Sequence, residues 1–191
     1  ALGWKEFTYK GLGLLSRKLG SYLINDLQIQ KNDRVAILSE SKPEYGACVF
    51  ASILSGATTV PLDVKLTKYE LVSILTDCQP RVLLVSQTYI EKALEIQKEV
   101  PSIEHVIVMD EPSYNMTLPS LYTINSTPNC KWRHRSSKST AFIIYTSGTT
   151  GNPKGVEISF RNMLAQLNAL STVVPEFIPE GENTKILSIL P

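Results

Sequence analysis

The residues best equipped for chemistry stand together in the stretch Tyr145-Thr-Ser-Gly-Thr-Thr-Gly-Asn-Pro-Lys-Gly155. Thr146, Ser147, Thr149 and Thr150 bring hydroxyls, Gly148 and Gly151 let backbone N–H groups come close to a ligand, and Lys154 adds a compact positive charge. All of these are hydrogen-bond donors to an anionic oxygen, and charge-assisted bonds of that kind are the stronger class. The stretch reads as a phosphate cradle. Its competitor is the loop G-x-x-x-x-G-K-[ST], where lysine directly follows the last glycine and the next hydroxyl holds magnesium. Here Asn152 and Pro153 intervene and Gly155 stands in the hydroxyl position, which excludes that form. The excluded loop would continue straight into a helix, whereas Gly155 to Ile158 is expected to be extended.

A turn of this kind needs rigid elements to hold it. Ala141-Phe-Ile-Ile-Tyr145 leads into it and reads as a strand buried on both faces. Upstream, helix and strand alternate. Thr8 caps a helix with Leu12, Leu15, Leu19 and Tyr22 or Leu23 on one side, slightly weakened by Gly20. Arg34 to Leu38 is a strand; Ser41 and Pro43 open a helix that Gly56 ends; Thr58 to Leu62 is the second strand. Thr67-Lys-Tyr-Glu70 is a capping box ahead of the stripe Leu71, Ile74, Leu75 and Cys78. Arg81 to Ser86 is a strand, a helix from Gln87 to Glu99 packs Ile90, Ala93, Leu94 and Gln97, and His105 to Met109 is the next strand. After the cradle, Ser159 caps a helix whose Met163, Leu164, Leu167, Leu170 and Val174 are expected in the core. Gly181 and Asn183 turn the chain into a last strand, Lys185 to Leu190. Parallel neighbours need crossovers, usually helical, so this order predicts an α/β fold with a parallel-rich sheet flanked by helices.

Composition narrows the function classes. The chain of 191 residues is 43% hydrophobic and 19% charged, the balance of a globular protein with a sizeable core. A net charge of +1 gives no electrostatic case for nucleic acid or an anionic membrane surface. Cys48, Cys78 and Cys130 are odd in number and far apart, which fits idle thiols in a reduced compartment and a cytoplasmic location. The cysteines form no C-x-x-C pair, His134 alone gives no site and His105 opens a buried strand with no Cys nearby, so no metal site is expected. Tyr45 to Leu62 carries no charge, yet Gly56, Thr58, Thr59 and Pro61 make it a buried helix feeding a strand rather than a membrane span. Residues 110–139 break the alternation, and their basic run of Lys131, Arg133, His134, Arg135 and Lys138 reads as a solvated loop.

The cradle, read as Tyr145-Thr-Ser-Gly-Thr-Thr-Gly-Asn-Pro-Lys-Gly-Val156, resembles the phosphate-binding signature of the adenylate-forming enzymes, the AMP-binding superfamily. Leu54-Ser-Gly-Ala-Thr-Thr-Val-Pro-Leu62 is similar to the segment that precedes it in that family. The resemblance implies the N-terminal part of the family's large domain, with 1–109 as βα layers, 110–139 as an irregular loop and 140–191 as the phosphate-loop segment, the C-terminal domain lying outside this sequence. Ile144 to Val156, Ser159, Arg161-Asn162 and Ile186-Leu-Ser-Ile-Leu-Pro191 look most like long-chain fatty acyl-CoA synthetases. Phe160, where those enzymes often carry histidine, and Ser139-Thr140, where an acidic residue is usual, depart from that pattern.

What the resemblance implies is a two-step ligase. A carboxylate attacks the α-phosphate of ATP, pyrophosphate leaves, and the thiol of coenzyme A or of a carrier protein then takes the acyl group. Thr146, Ser147, Gly148, Thr149, Thr150, Gly151 and Lys154 would bind the β- and γ-phosphates, with Lys154 as the catalytic charge and Mg2+ accompanying the nucleotide. Acyl-carrier-protein synthetases, aryl acid ligases and a degenerate nucleotide-binding module are the alternatives. The expected partners are ATP, a carboxylic acid and a thiol acceptor, with no nucleic acid and no transmembrane segment; peripheral membrane contact stays open. The 191 residues alone are expected to be inactive. Three or four exposed hydrogen bonds of about 1.5 kcal/mol barely exceed the roughly 4 kcal/mol minimum cost of lost freedom on association.

Overall fold

The computed structural model describes residues 7–113, 117–128, 131–146 and 153–173. Helix α1 (Tyr9–Asn25) begins where Thr8 accepts the N–H of Gly11 at 3.0 Å, and it buries Leu19 and Leu23. Gly20 is more than a weak point in that helix. A Cβ there would lie 3.1 Å from the Trp132 ring and 3.4 Å from the Ala51 carbonyl oxygen, so glycine is what lets α1 lie against α2. Strand β1 (Arg34–Leu38) leads to α2 (Pro43–Ser55), with Pro43 in the first turn and Gly56 ending it at φ 82°. The cap position is Lys42, which offers no side-chain cap, rather than Ser41.

Strand β2 (Thr58–Leu62) precedes α3 (Lys68–Cys78), and both halves of the Thr67–Glu70 capping box form. At the other end of α3, Arg34 donates to the carbonyls of Cys78 at 2.6 Å and Gln79 at 2.8 Å. That cation satisfies acceptors a helix end leaves free. After β3 (Val82–Val85), the expected helix from Gln87 is split into a tight 3-10 turn, Gln87–Tyr89, and α4 (Ile90–Glu99). Ala93 and Ile96 are its buried positions, while Ile90, Leu94 and Gln97 are half-buried. Strand β4 (His105–Val108) follows, and β5 (Thr140–Thr146), β6 (Lys154–Ser159) and α5 (Phe160–Val173) complete the described elements.

The six strands form one sheet in the order β4-β3-β1-β2-β5-β6. β1 to β5 run parallel and β6 runs antiparallel to β5, so the expected parallel-rich sheet carries a hairpin at one edge. One face is covered by α3 and α4, with Leu38, Leu71, Leu75, Leu83 and Ile96 at its centre. The other is covered by α1 and α2 over Leu19, Leu23, Ile37, Leu84 and Ile107. Successive strands therefore progress outward to both sides of β1, the doubly wound arrangement. Among the described residues no helix is long and apolar enough to cross a membrane, and Tyr45 to Leu62 is α2 plus β2 as expected.

Three further expectations change. β5 is not buried on both faces: Ala141 is, but Ile144 is 38% exposed, because β5 sits beside the sheet edge, where one face lacks the close helical cover given to β1 and β3. Helix α5 is capped as foreseen, by Ser159 accepting from the Asn162 N–H at 3.2 Å while Asn162 accepts from the Ser159 N–H at 3.0 Å. Its Leu164, Leu167 and Leu170 are exposed rather than core, since among the described residues no further layer packs over them. The basic run is only partly solvated. Arg133 donates to the Ile29 carbonyl and Arg135 to the Ala57 carbonyl at 2.9 Å, pinning this segment to the ends of core elements. Lys131, His134 and Lys138 are exposed. The last strand, Lys185 to Leu190, and Val174 lie outside the described residues.

Candidate functional site

Thr146 closes β5, Lys154 opens β6, and the antiparallel register pairs them directly. Residues paired in this way share one face of the sheet, with Cα atoms about 4.5 to 5.5 Å apart. The hydroxyl and the ammonium that the sequence separates by eight positions thus stand side by side, and both are exposed. Among the described residues nothing accepts a hydrogen bond from the Lys154 ammonium. Ser147, Gly148, Thr149, Thr150 and Gly151 lie outside the described residues. The extended Gly155 to Ile158 agrees with the reading that rejected a loop running into a helix.

Position in the sheet gives this hairpin end its meaning. Because β5 is parallel to β2, Thr146 lies at the carboxyl edge, the same edge from which Ser39, Asp63 and Ser86 leave β1, β2 and β3. Ligands of open α/β sheets bind along that edge. Between β1 and β3 the edge is already filled by its own polar contacts. Ser86 donates to Glu40 at 2.6 Å, Lys42 pairs with Asp110, and Asp110 accepts the Gln87 N–H at 2.7 Å. Between the ends of β1 and β2, Ser39, Glu40, Tyr45, Leu62, Asp63 and Lys65 line a recess of about 660 Å³ that mixes polar and apolar groups.

The faces of the hairpin differ. Phe142 with Ile158, then Ile144 with Val156, then Thr146 with Lys154 form a ladder on one face, apolar along its length and polar at its tip. With Tyr45, Val49 and Met163 its apolar rungs line an open groove of about 830 Å³. On the opposite face Tyr145 lies across Gly155 and donates to the carboxylate of Asp77, in the last turn of α3. Burial first, and then Asp77, push the Tyr145 hydroxyl far above the ordinary phenol range, so it remains a donor. Burial likewise pushes the neighbouring Cys78 thiol up to about 12 and raises Cys48 further, which leaves both as neutral packing groups. Cys130 lies outside the described residues.

No group of three or more His, Cys, Asp or Glu that could hold a metal exists among the described residues. Sequence reasoning named Thr146 and Lys154, which the register sets side by side, and did not single out Asp77. Nothing in its local pattern signals a role, since it reads as a polar position behind the buried stripe of α3.

The AMP-binding enzyme family profile matches residues 1–191. The chain is 30% identical over 162 residues to a 2-succinylbenzoate–CoA ligase of Bacillus velezensis, which covers 83% of this chain and 29% of that protein. It is 28% identical over 172 residues to a long-chain-fatty-acid–CoA ligase of Bos taurus, covering 84% of this chain and 23% of that protein. The structure superimposes on an anthranilate CoA ligase in complex with anthranoyl-AMP with a TM-score of 0.77 at 25% identity, over 87% of this chain and 32% of that one. This chain therefore spans about a quarter to a third of the length of these two relatives.

Proposed function

This chain belongs to the AMP-binding enzyme family, and on that premise we propose that its full-length protein is an ATP-dependent acid–thiol ligase. The observation that carries this reading is the pairing of Thr146 with Lys154 at the carboxyl edge, with no acceptor of its own among the described residues for the Lys154 ammonium. An exposed hydroxyl and a cation with no acceptor among the described residues, on one face, fit the chemistry of a polyphosphate. In the first step a carboxylate oxygen attacks the α-phosphorus of ATP, the bond to the bridging oxygen breaks, and pyrophosphate leaves. In the second a thiol sulfur attacks the acyl carbon and AMP leaves. The work assigned to Lys154 and Thr146, with Ser147, Gly148, Thr149, Thr150 and Gly151, is to hold the β- and γ-phosphates and neutralise charge that builds on the departing pyrophosphate. Mg2+ enters this account bound to the nucleotide, where it would neutralise phosphate charge.

We favour a long-chain fatty acid as substrate and coenzyme A as acceptor. The bovine relative supports this by its name, as does the match of Ile144 to Val156, Ser159 and Arg161-Asn162 to that subfamily's pattern. An aryl acid is the second reading, favoured by the 2-succinylbenzoate and anthranilate ligases among the similar proteins. A carrier-protein thiol is the alternative acceptor, and a nucleotide-binding module without catalysis is the non-enzymatic one. Cytoplasmic location, with peripheral membrane contact for a lipid substrate, belongs to the same proposal. The test is ATP–pyrophosphate exchange by the full-length protein with palmitate, acetate, benzoate, 2-succinylbenzoate and amino acids in turn. Exchange driven by palmitate supports the fatty acid reading, exchange driven by the aromatic acids replaces it, and none with any acid leaves the binding module. The 191 residues alone should be inactive and bind ATP no better than millimolar.

A further inference from the structure

We infer that Tyr145 and Asp77 are positioning residues for the nucleotide site: the tie between them fixes the outer end of the β5–β6 hairpin, where Thr146 and Lys154 stand. The inference rests on the adenylation reading for what the hairpin end does, and on geometry alone for how it is held.

β5 runs closely alongside β2, but the regular ladder between them is short. β1 pairs with β2 over five consecutive positions, from Arg34 and Thr58 to Leu38 and Leu62, whereas β2 pairs with β5 at Thr59 and Phe142 alone. Pro61, two residues further along β2, has no N–H to give, and a proline inside a strand costs a ladder bond. A hydrogen bond from the Thr58 hydroxyl to the Thr140 carbonyl, at 3.0 Å, secures only the start of β5. Its outer half, including Tyr145 and Thr146, needs another anchor.

Tyr145 supplies it. Its ring packs on the core formed with α3, and its hydroxyl donates to Asp77. The same ring lies across Gly155 on the partner strand. A Cβ on Gly155 would come 2.9 Å from Ile143 Cγ2 and 3.1 Å from Tyr145 Cζ, so only glycine lets the ring bridge both strands. Asp77 is itself fixed, because the end of α3 is held by Arg34 of β1 through the Cys78 and Gln79 carbonyls. A continuous path thus runs from β1 through α3, Asp77 and Tyr145 to Gly155, the neighbour of Lys154. The placement of Asp77 adds weight. A carboxylate in the last turn of a helix opposes the helix dipole, which favours cations there.

Tyr145→Phe and Asp77→Ala in the full-length protein test this, with ATP–pyrophosphate exchange and amide hydrogen exchange as the two readouts. Each variant is expected to raise KM for ATP about fivefold, the scale of one lost hydrogen bond, and to leave KM for the acid unchanged. The double variant should be no worse than either single one, because both remove the same contact. Amides at 145–146 and 154–155 should exchange faster while those of α3 do not. Asp77→Ala, which also removes a charge opposed to the helix dipole, should keep or raise Tm as it loosens the hairpin, which a purely stabilising role would not produce. Wild-type KM for ATP in both variants, or unchanged amide exchange at the hairpin end, overturns the inference. If no acid supports exchange in the wild-type protein, the adenylation reading falls and the amide measurement alone decides whether the tie exists.

Discussion

The β4-β3-β1-β2 block and the β5–β6 hairpin belong to one sheet and are held by different physics. In the block, each neighbouring pair of strands is joined over four or five consecutive positions, and both faces are covered by helices. In the hairpin, one registered pair joins it to the block, one face is open, and side chains such as Tyr145 take over what the ladder does elsewhere. The block is a scaffold whose residues are spent on one another, including the polar ones between β1 and β3. The hairpin sets a hydroxyl and an ammonium side by side, and they are left unspent among the described residues. The binding role proposed for the hairpin would follow a recurrent division of labour, in which a rigid frame carries binding groups at its margin.

Substitutions in the two regions should separate these roles. Leu84→Ala, in the fully buried core of the block, should cost about 3 kcal/mol of global stability by chemical denaturation, the transfer plus cavity cost of such a truncation. Gly155→Ala should cost about 2 kcal/mol through overpacking against Ile143 and Tyr145, with faster amide exchange confined to β5 and β6. Exchange spreading into β1 would erase the distinction between the regions. Thr67→Ala removes the cap of α3, and a loss of about 1 kcal/mol in denaturant midpoint measurements is expected. Leu167→Gln, on the exposed face of α5, should change the stability of this chain by no more than about 0.5 kcal/mol. A larger loss there would mean that α5 belongs to the packed core after all.

The block was largely legible in the sequence because its signals are local. Thr8, Pro43, Gly56 and the Thr67–Glu70 box set helix ends within a few residues, and runs such as Arg34 to Leu38 announce buried strands. The hairpin was legible as composition, since hydroxyls, glycines and a lysine in one turn have few structural uses. Its setting was not. Whether β5 is covered on both faces depends on its neighbours, and Ala141 to Tyr145 looks as apolar as β3. Antiparallel pairing of β6, the anchoring of Arg133 and Arg135, and the meeting of Asp77 with Tyr145 are contacts between distant positions. No local pattern encodes them. Gly20 shows the same limit, reading as a weak point in a helix until Trp132 and Ala51 are seen against it.

The central claim is that the Thr146–Lys154 pair holds the polyphosphate of ATP during adenylation, and ATP–pyrophosphate exchange by the full-length protein and its Lys154→Ala variant tests it most directly. The account predicts acid-dependent exchange in the wild-type protein and a loss of about a hundredfold or more in the variant, the scale of removing one group that stabilises charge in the transition state. A variant that exchanges as fast as wild type, with the same KM for ATP, would contradict it.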